Sequence, residues 1–163
     1  SEEYPNDFFL SEEELEAPDR LNYNRIWILD PIDGTREFVN KNPEFALSLG
    51  LAISGKPVLG FVYNPITKEI FIGDTELGVY YNLTSDLDFD SISFQKYQEG
   101  KVNTLPNLLV SKTEFDRKDF ENPYWKENFS LNPKGSIAYK LALVSAAKAD
   151  LVISVKPKSE WDI

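Results

Sequence analysis

The chain contains no cysteine and no histidine in 163 residues, and these absences remove whole classes of chemistry. Without cysteine there is no disulfide framework and no thiolate metal centre; without histidine the usual zinc ligand and general base is missing. Any catalysis must rest on carboxylates, hydroxyls, lysines and bound ions. Long hydrophobic runs are also absent: Leu47 to Ile53 and Leu141 to Ala147 fall far short of the ~20 residues of a membrane-spanning helix, so no membrane partner is expected. Basic residues are outnumbered, 17 Lys and Arg against 27 Asp and Glu, for a net charge of −10. That balance excludes a nucleic-acid duplex partner, whose phosphates require clustered Lys and Arg. No signal peptide is visible. The chain opens at Ser1 without a methionine, so its expected location, the cytoplasm, rests on an incomplete N-terminus.

What is present suits a single globular domain over residues 1–163: 42% of residues are apolar and 13% aromatic, enough for a core at this length. The opening Ser1 to Pro18 is acidic, with Ser11-Glu12-Glu13-Glu14-Leu15-Glu16 reading as a capped helical turn or a solvated loop. Arg25 to Leu29 reads as a buried strand leading into a loop from Asp30 to Thr35. Phe45 to Ile53 and Pro57 to Tyr63 form a hairpin around Ser54-Gly55-Lys56. Strands at Glu69 to Gly73 and Gly78 to Tyr81 complete an antiparallel meander. An edge strand is expected at Ser91 to Phe94 and a buried one at Leu108 to Ser111. A short helix is expected within Asp116 to Asn128, interrupted at Pro123. Ile137, Leu141, Val144 and Ser145 follow helical spacing with Ser136 near the N-terminus, which predicts a helix of about three turns ending at Ala149-Asp150, and Leu151 to Val155 returns to strand.

The chemistry concentrates at Asp30-Pro31-Ile32-Asp33-Gly34-Thr35. Two carboxylates three residues apart can reach one pair of hard cations, and the Ile32 carbonyl between them is a natural further oxygen ligand. Gly34 lets a phosphate approach the backbone. Metal-assisted attack on a phosphate ester is the chemistry suggested, and magnesium would reverse the local field so that an acidic site attracts an anion. An Asp-Gly turn closing a strand, with Asp33 in an Asx-turn, satisfies the same hexapeptide.

Trp27-Ile28-Leu29-Asp30-Pro31-Ile32-Asp33-Gly34-Thr35 resembles the central signature of the inositol monophosphatase superfamily of magnesium-dependent, lithium-sensitive phosphatases. Ser1-Glu2-Glu3 is similar to its upstream Glu-Glu element and Trp161-Asp162-Ile163 to its downstream Trp-Asp element. The resemblance implies an α+β fold, a layered α-β-α-β-α sandwich of the inositol monophosphatase and fructose-1,6-bisphosphatase type, here without the N-terminal helices and the C-terminal portion. A fragment with an exposed apolar sheet face is therefore expected.

The resemblance further implies that Glu2, Asp30 and the Ile32 carbonyl hold one magnesium and that Asp30, Asp33 and Asp162 hold a second, with Glu2 available to a third. Gly34 and Thr35 would offer N–H groups to phosphate, and the Thr35 hydroxyl would position water. Gly135 and Ser136 match a substrate-binding turn at a helix start, where a helix N-terminus favours an anion. Lys156 and Lys158 would suit a second phosphate, with Lys140 a lesser candidate.

Arg36-Glu37-Phe38 looks more like the 3'(2'),5'-bisphosphate nucleotidase branch than the inositol branch, although an exposed Arg36–Glu37 ion pair would use the same residues. Phe8, Phe9, Trp125 and Tyr139 could stack on an adenine or pack a core. The expected partner is a small phosphorylated molecule, either a nucleotide bisphosphate or a sugar phosphate, and a homodimer is the expected assembly. A non-catalytic module that keeps the acidic core is the alternative of a different class.

Overall fold

A computed structural model describes residues 6–12, 22–83, 94 and 105–157. Two sheets organise them. The larger runs β1 (Asp7–Ser11), β2 (Arg25–Asp33), β3 (Ala46–Ile53), β4 (Lys56–Asn64), β5 (Glu69–Asp74) and β6 (Gly78–Leu83) in that spatial order. The smaller has the order β8-β7-β9, from β7 (Asn107–Ser111), β8 (Ser130–Lys134) and β9 (Leu151–Ile153), all parallel. The helices are α1 (Thr35–Val39), α2 (Lys112–Asp116), α3 (Pro123–Asn128) and α4 (Ile137–Ser145).

The meander forms as its turns dictate. Ser54 and Gly55 both take positive φ, 52° and 74°, which a two-residue hairpin loop between right-twisted strands requires. Asn64 is fully buried and its Oδ1 accepts the N–H groups of Ile66 and Thr67, closing the β4–β5 turn. Asp74 does the same for Glu76 and Leu77, and those bonds hold its carboxyl below the ordinary range.

Alternation along β7 sets the layers. Leu109 packs with Ala46, Phe71, Tyr139, Ala142 and Leu143 on one side, while Leu108 and Val110 pack with Phe120, Trp125 and Phe129 on the other. Helix α4 contacts β2, β3 and β4 of one sheet and β9 of the other, and α2 and α3 contact the smaller sheet. The stack is thus larger sheet, α4, smaller sheet, α2 with α3. Beside α4 lies an open apolar groove of about 450 Å³, lined by Leu49, Leu51, Phe71 and Leu141 among others.

Several expectations need correction. The acidic opening segment contains strand β1, parallel to β2, so the sheet is not wholly antiparallel. Asp7 fixes that pairing: it accepts from Trp27 Nε1 at 2.8 Å and pairs with Arg25 at 2.9 Å. Asp30 to Asp33 continue β2, through a register shift, instead of forming a loop, and α1 follows directly. Pro123 opens α3 instead of interrupting a helix, because a first-turn residue has no intrahelical partner for its missing N–H, and Asn122 caps the end. Of the strand expected at Ser91 to Phe94 only Phe94 is described, packed against Tyr80.

Candidate functional site

Strand β2 carries Asp30 and Asp33 to its carboxyl end, where both are buried, at 2% and 6% exposure. A buried carboxylate is costly unless its oxygens are hydrogen-bonded. Asp30 Oδ1 accepts the Ile32 N–H at 3.0 Å, so the local turn is made by Asp30. Asp33 is held from across the molecule: its Oδ2 accepts the Ser136 hydroxyl at 2.5 Å and the Ala138 N–H at 2.6 Å. Ser136 Oγ in turn accepts from Tyr139 N at 2.9 Å, so the first turn of α4 is capped by a serine that is itself anchored to the acid.

Three backbone segments meet here, and two glycines make it possible. Gly34 has φ 90°, and a Cβ on it would lie 3.2 Å from both the Glu44 carbonyl oxygen and Ser136 N. A Cβ on Gly135 would meet Glu37 Cγ and sit 2.5 Å from the Glu44 carbonyl oxygen. Because the second obstacle is backbone, Gly135→Ala should cost about 1–3 kcal/mol of stability. A urea midpoint equal to wild type would show that the junction has slack.

Thr35 is exposed, and its hydroxyl donates to the Ile32 carbonyl at 3.1 Å, which leaves its own lone pairs for another donor. The Gly135 N–H is directed at Glu44 Oε2, at 3.1 Å. Lys140 is buried, and its ammonium donates to the Lys134 and Gly135 carbonyls at 3.2 and 3.0 Å, so it supports the turn. Arg36 and Glu37 do not form the exposed pair considered above: Arg36 Nη1 donates to Thr113 Oγ1 at 2.9 Å and Glu37 is buried. Lys156 is exposed on a loop after β9, its N–H accepted by Glu114 at 3.2 Å.

The aromatics proposed for stacking are engaged in packing, Phe8 on Tyr23, Phe9 on Trp27 and Trp125 on Phe120. The Tyr139 hydroxyl donates to Glu69, and burial together with that carboxylate pushes its phenol well above the ordinary range.

Glu2, Lys158 and Asp162 lie outside the described residues, and among the described residues no three acidic side chains converge as a metal cluster. The register of β1 nevertheless bears on the upstream carboxylate. Ser11 pairs with Leu29, so Glu12 follows at the same end of β2 as Asp30; Asp7, the first residue of β1, pairs with Arg25 at the far end. Glu12, which stands in a second Ser-Glu-Glu sequence, therefore adjoins the site, and the signal missed in the sequence was the apolar run Phe8-Phe9-Leu10 before it. The donor set at this end, carboxylates and carbonyls without nitrogen or sulfur, fits a hard divalent cation such as magnesium.

Two sheets sharing one helix, with an oxygen-only acidic strand end set against that helix's first turn, define a layered α+β protein with an acidic site. Within that class the chain belongs to the inositol monophosphatase family, whose model matches residues 1–163. It is 30% identical over 154 residues to 3'(2'),5'-bisphosphate nucleotidase CysQ of Salmonella typhimurium, covering 94% of this chain and 58% of that protein. It is 40% identical over 163 residues to inositol monophosphatase 3 of Solanum lycopersicum, covering 98% and 60%. Among solved structures, CysQ from Bacteroides thetaiotaomicron superposes with a TM-score of 0.71 at 26% identity, over 95% of this chain and 62% of that one. The chain spans about three fifths of the length of the curated relatives it matches.

Proposed function

We propose that this chain supplies the acidic core of a magnesium-dependent phosphomonoesterase that converts 3'-phosphoadenosine 5'-phosphate to adenosine monophosphate and phosphate. The observation that carries the reading is the Asp33 carboxylate, buried beside Asp30 and aimed by Ser136 and Ala138. In this reading Asp30, the Ile32 carbonyl, Asp33 and Asp162 are magnesium ligands. Glu12 takes the upstream place first given to Glu2, on the strength of the β1 register. Magnesium in such a site supplies charge neutralisation, water activation and stabilisation of the leaving oxygen.

The chain's own groups do the rest. The Thr35 hydroxyl, its proton committed to Ile32, accepts from the attacking water and orients it. Gly34 and Thr35 turn backbone N–H groups toward the phosphate. Water adds to phosphorus, the ester P–O bond breaks, and a proton passes to the departing ribose oxygen. Ser136, and through it α4, keeps Asp33 in one orientation throughout.

The nucleotide is favoured by Arg36-Glu37-Phe38, by exposed Lys156 as a partner for a second phosphate, and by the similarity to the Salmonella nucleotidase. An inositol phosphate is the second reading, favoured by the 40% identity to the tomato inositol monophosphatase. Phosphate release from each ester by the full-length protein with magnesium separates them, and faster turnover of inositol 1-phosphate would replace the first reading with the second. Binding of nucleotide without release from either ester would identify a non-catalytic module.

The ligand assignment has its own test. Glu12→Gln should raise the magnesium concentration for half-activation roughly 10–100-fold, and by much more than Glu2→Gln does. The reverse order would return the ligand role to Glu2.

A further inference from the structure

The turn that joins β8 to α4 is held in a conformation it would not adopt alone. Ser136 has φ 33° and ψ 121°, a sparsely populated region for a residue with a side chain, and such geometry persists only where its surroundings over-determine it. Asp33 restrains Ser136 on one side, and Lys140 holds the carbonyls of Lys134 and Gly135 on another. A further restraint is Glu44. Its Oε2 accepts the Gly135 N–H at 3.1 Å and its Oε1 pairs with the Lys134 ammonium at 3.2 Å, both groups about one quarter exposed or less.

Glu44 is not a neighbour of this turn in sequence. It lies 90 and 91 positions from the two residues it binds, and its own carbonyl forms part of the wall that Gly34 and Gly135 approach. One residue therefore ties the segment behind the Asp30–Thr35 acids to the turn that anchors Asp33. Charge-assisted bonds of this kind are stronger and more directional than neutral ones, which suits a restraint working against backbone strain.

We propose that Glu44 is a positioning residue for substrate: it sets the Lys134-Gly135-Ser136 turn against the acidic strand end, and so fixes the side of the site that receives the non-reacting part of a phosphate ester. The proposal rests on the phosphatase reading above. Glutamine at this position keeps an oxygen for the Gly135 N–H and loses the ion pair, whereas alanine loses both.

In the full-length protein with magnesium, Glu44→Ala should raise KM about tenfold or more with kcat within about threefold, and Glu44→Gln should restore KM to within about threefold of wild type. Calorimetric titration with adenosine monophosphate should show the same order of affinities without requiring turnover. Hydrogen exchange at the Gly135 amide should be slow in wild type and Glu44→Gln and fast in Glu44→Ala. Unchanged KM and nucleotide affinity in Glu44→Ala would overturn the proposal. So would equal losses in both variants that track a lowered melting temperature, since that pattern belongs to a purely structural residue. A wild-type protein that binds the nucleotide and hydrolyses neither ester would instead overturn the phosphatase reading, while the titration and exchange experiments still judge Glu44.

Discussion

Asp33→Asn should lower phosphate release on the order of a thousandfold while the protein keeps nearly all of its stability. The two effects separate because, in the proposed function, the carboxylate has two tasks. One oxygen caps α4 by accepting from Ser136 Oγ and Ala138 N, and an asparagine carbonyl oxygen can accept both bonds in the same place. What asparagine lacks is the negative charge, which strengthens bonds at a helix N-terminus by about 1 kcal/mol or less. That small loss is the expected change in stability. The loss to catalysis is much larger because a neutral amide is a poor ligand for magnesium in the proposed site. Parallel measurement of turnover and thermal midpoint decides it. Turnover near wild type would remove Asp33 from the chemistry and leave it a helix cap. A midpoint that collapses together with turnover would mean that the capping role dominates.

The largest stability effect should come from a residue outside the acidic motif. Glu114, at 1% exposure, accepts the Ser154 hydroxyl at 2.8 Å, the Val155 N–H at 3.1 Å and the Lys156 N–H at 3.2 Å. Glu114→Ala leaves those donors without their acceptor and opens a void beneath α2, so a loss of about 3 kcal/mol is expected. Val155 and Lys156 are exposed, and water can rescue part of the loss, which keeps the figure from being larger. Because the tethered loop carries Lys156, nucleotide affinity should weaken too. Urea unfolding checks the first effect, and a loss below about 1 kcal/mol would show that the loop holds its shape without the carboxylate.

The elements legible in the sequence were those whose signals are local. The β3–β4 hairpin combines period-two apolar residues with a glycine turn and forms as read, and α4 combines a serine cap with helical spacing but ends at Ser145, short of the expected Ala149-Asp150. Strand β1 was missed because five residues in an acidic stretch carry little pattern, and its partner β2 begins 14 positions after β1 ends. With β1 in place, Glu12 joins Glu2 as a candidate for the upstream carboxylate. Strand β8 contains Asn132-Pro133, which reads as a turn, yet β8 is an edge strand, where a missing N–H can face away from the ladder.

At the site, spacing and residue type marked Asp30 and Asp33 as a carboxylate pair at a strand end, while leaving a metal site and a simple turn equally open. Glu44 and Glu114 were not legible, nor was the burial of Glu37 and Lys140, because charged residues usually face water and nothing local in a sequence marks the ones that do not. Their partners lie tens of residues away, and only the packed chain brings them into register.

Asp33 and Ser136 are 103 positions apart, and their bond joins the end of a strand in one sheet to the helix that faces the other. Closing so long a stretch of chain costs entropy that no local contact repays, so this bond cannot form until the sheets have found each other. Hairpins and helices can assemble earlier without creating any trace of the acidic centre. The acidic centre of this protein is therefore a product of correct docking between halves of the chain, and a probe of the Asp33–Ser136 bond reads out tertiary assembly more strictly than any measure of secondary structure content.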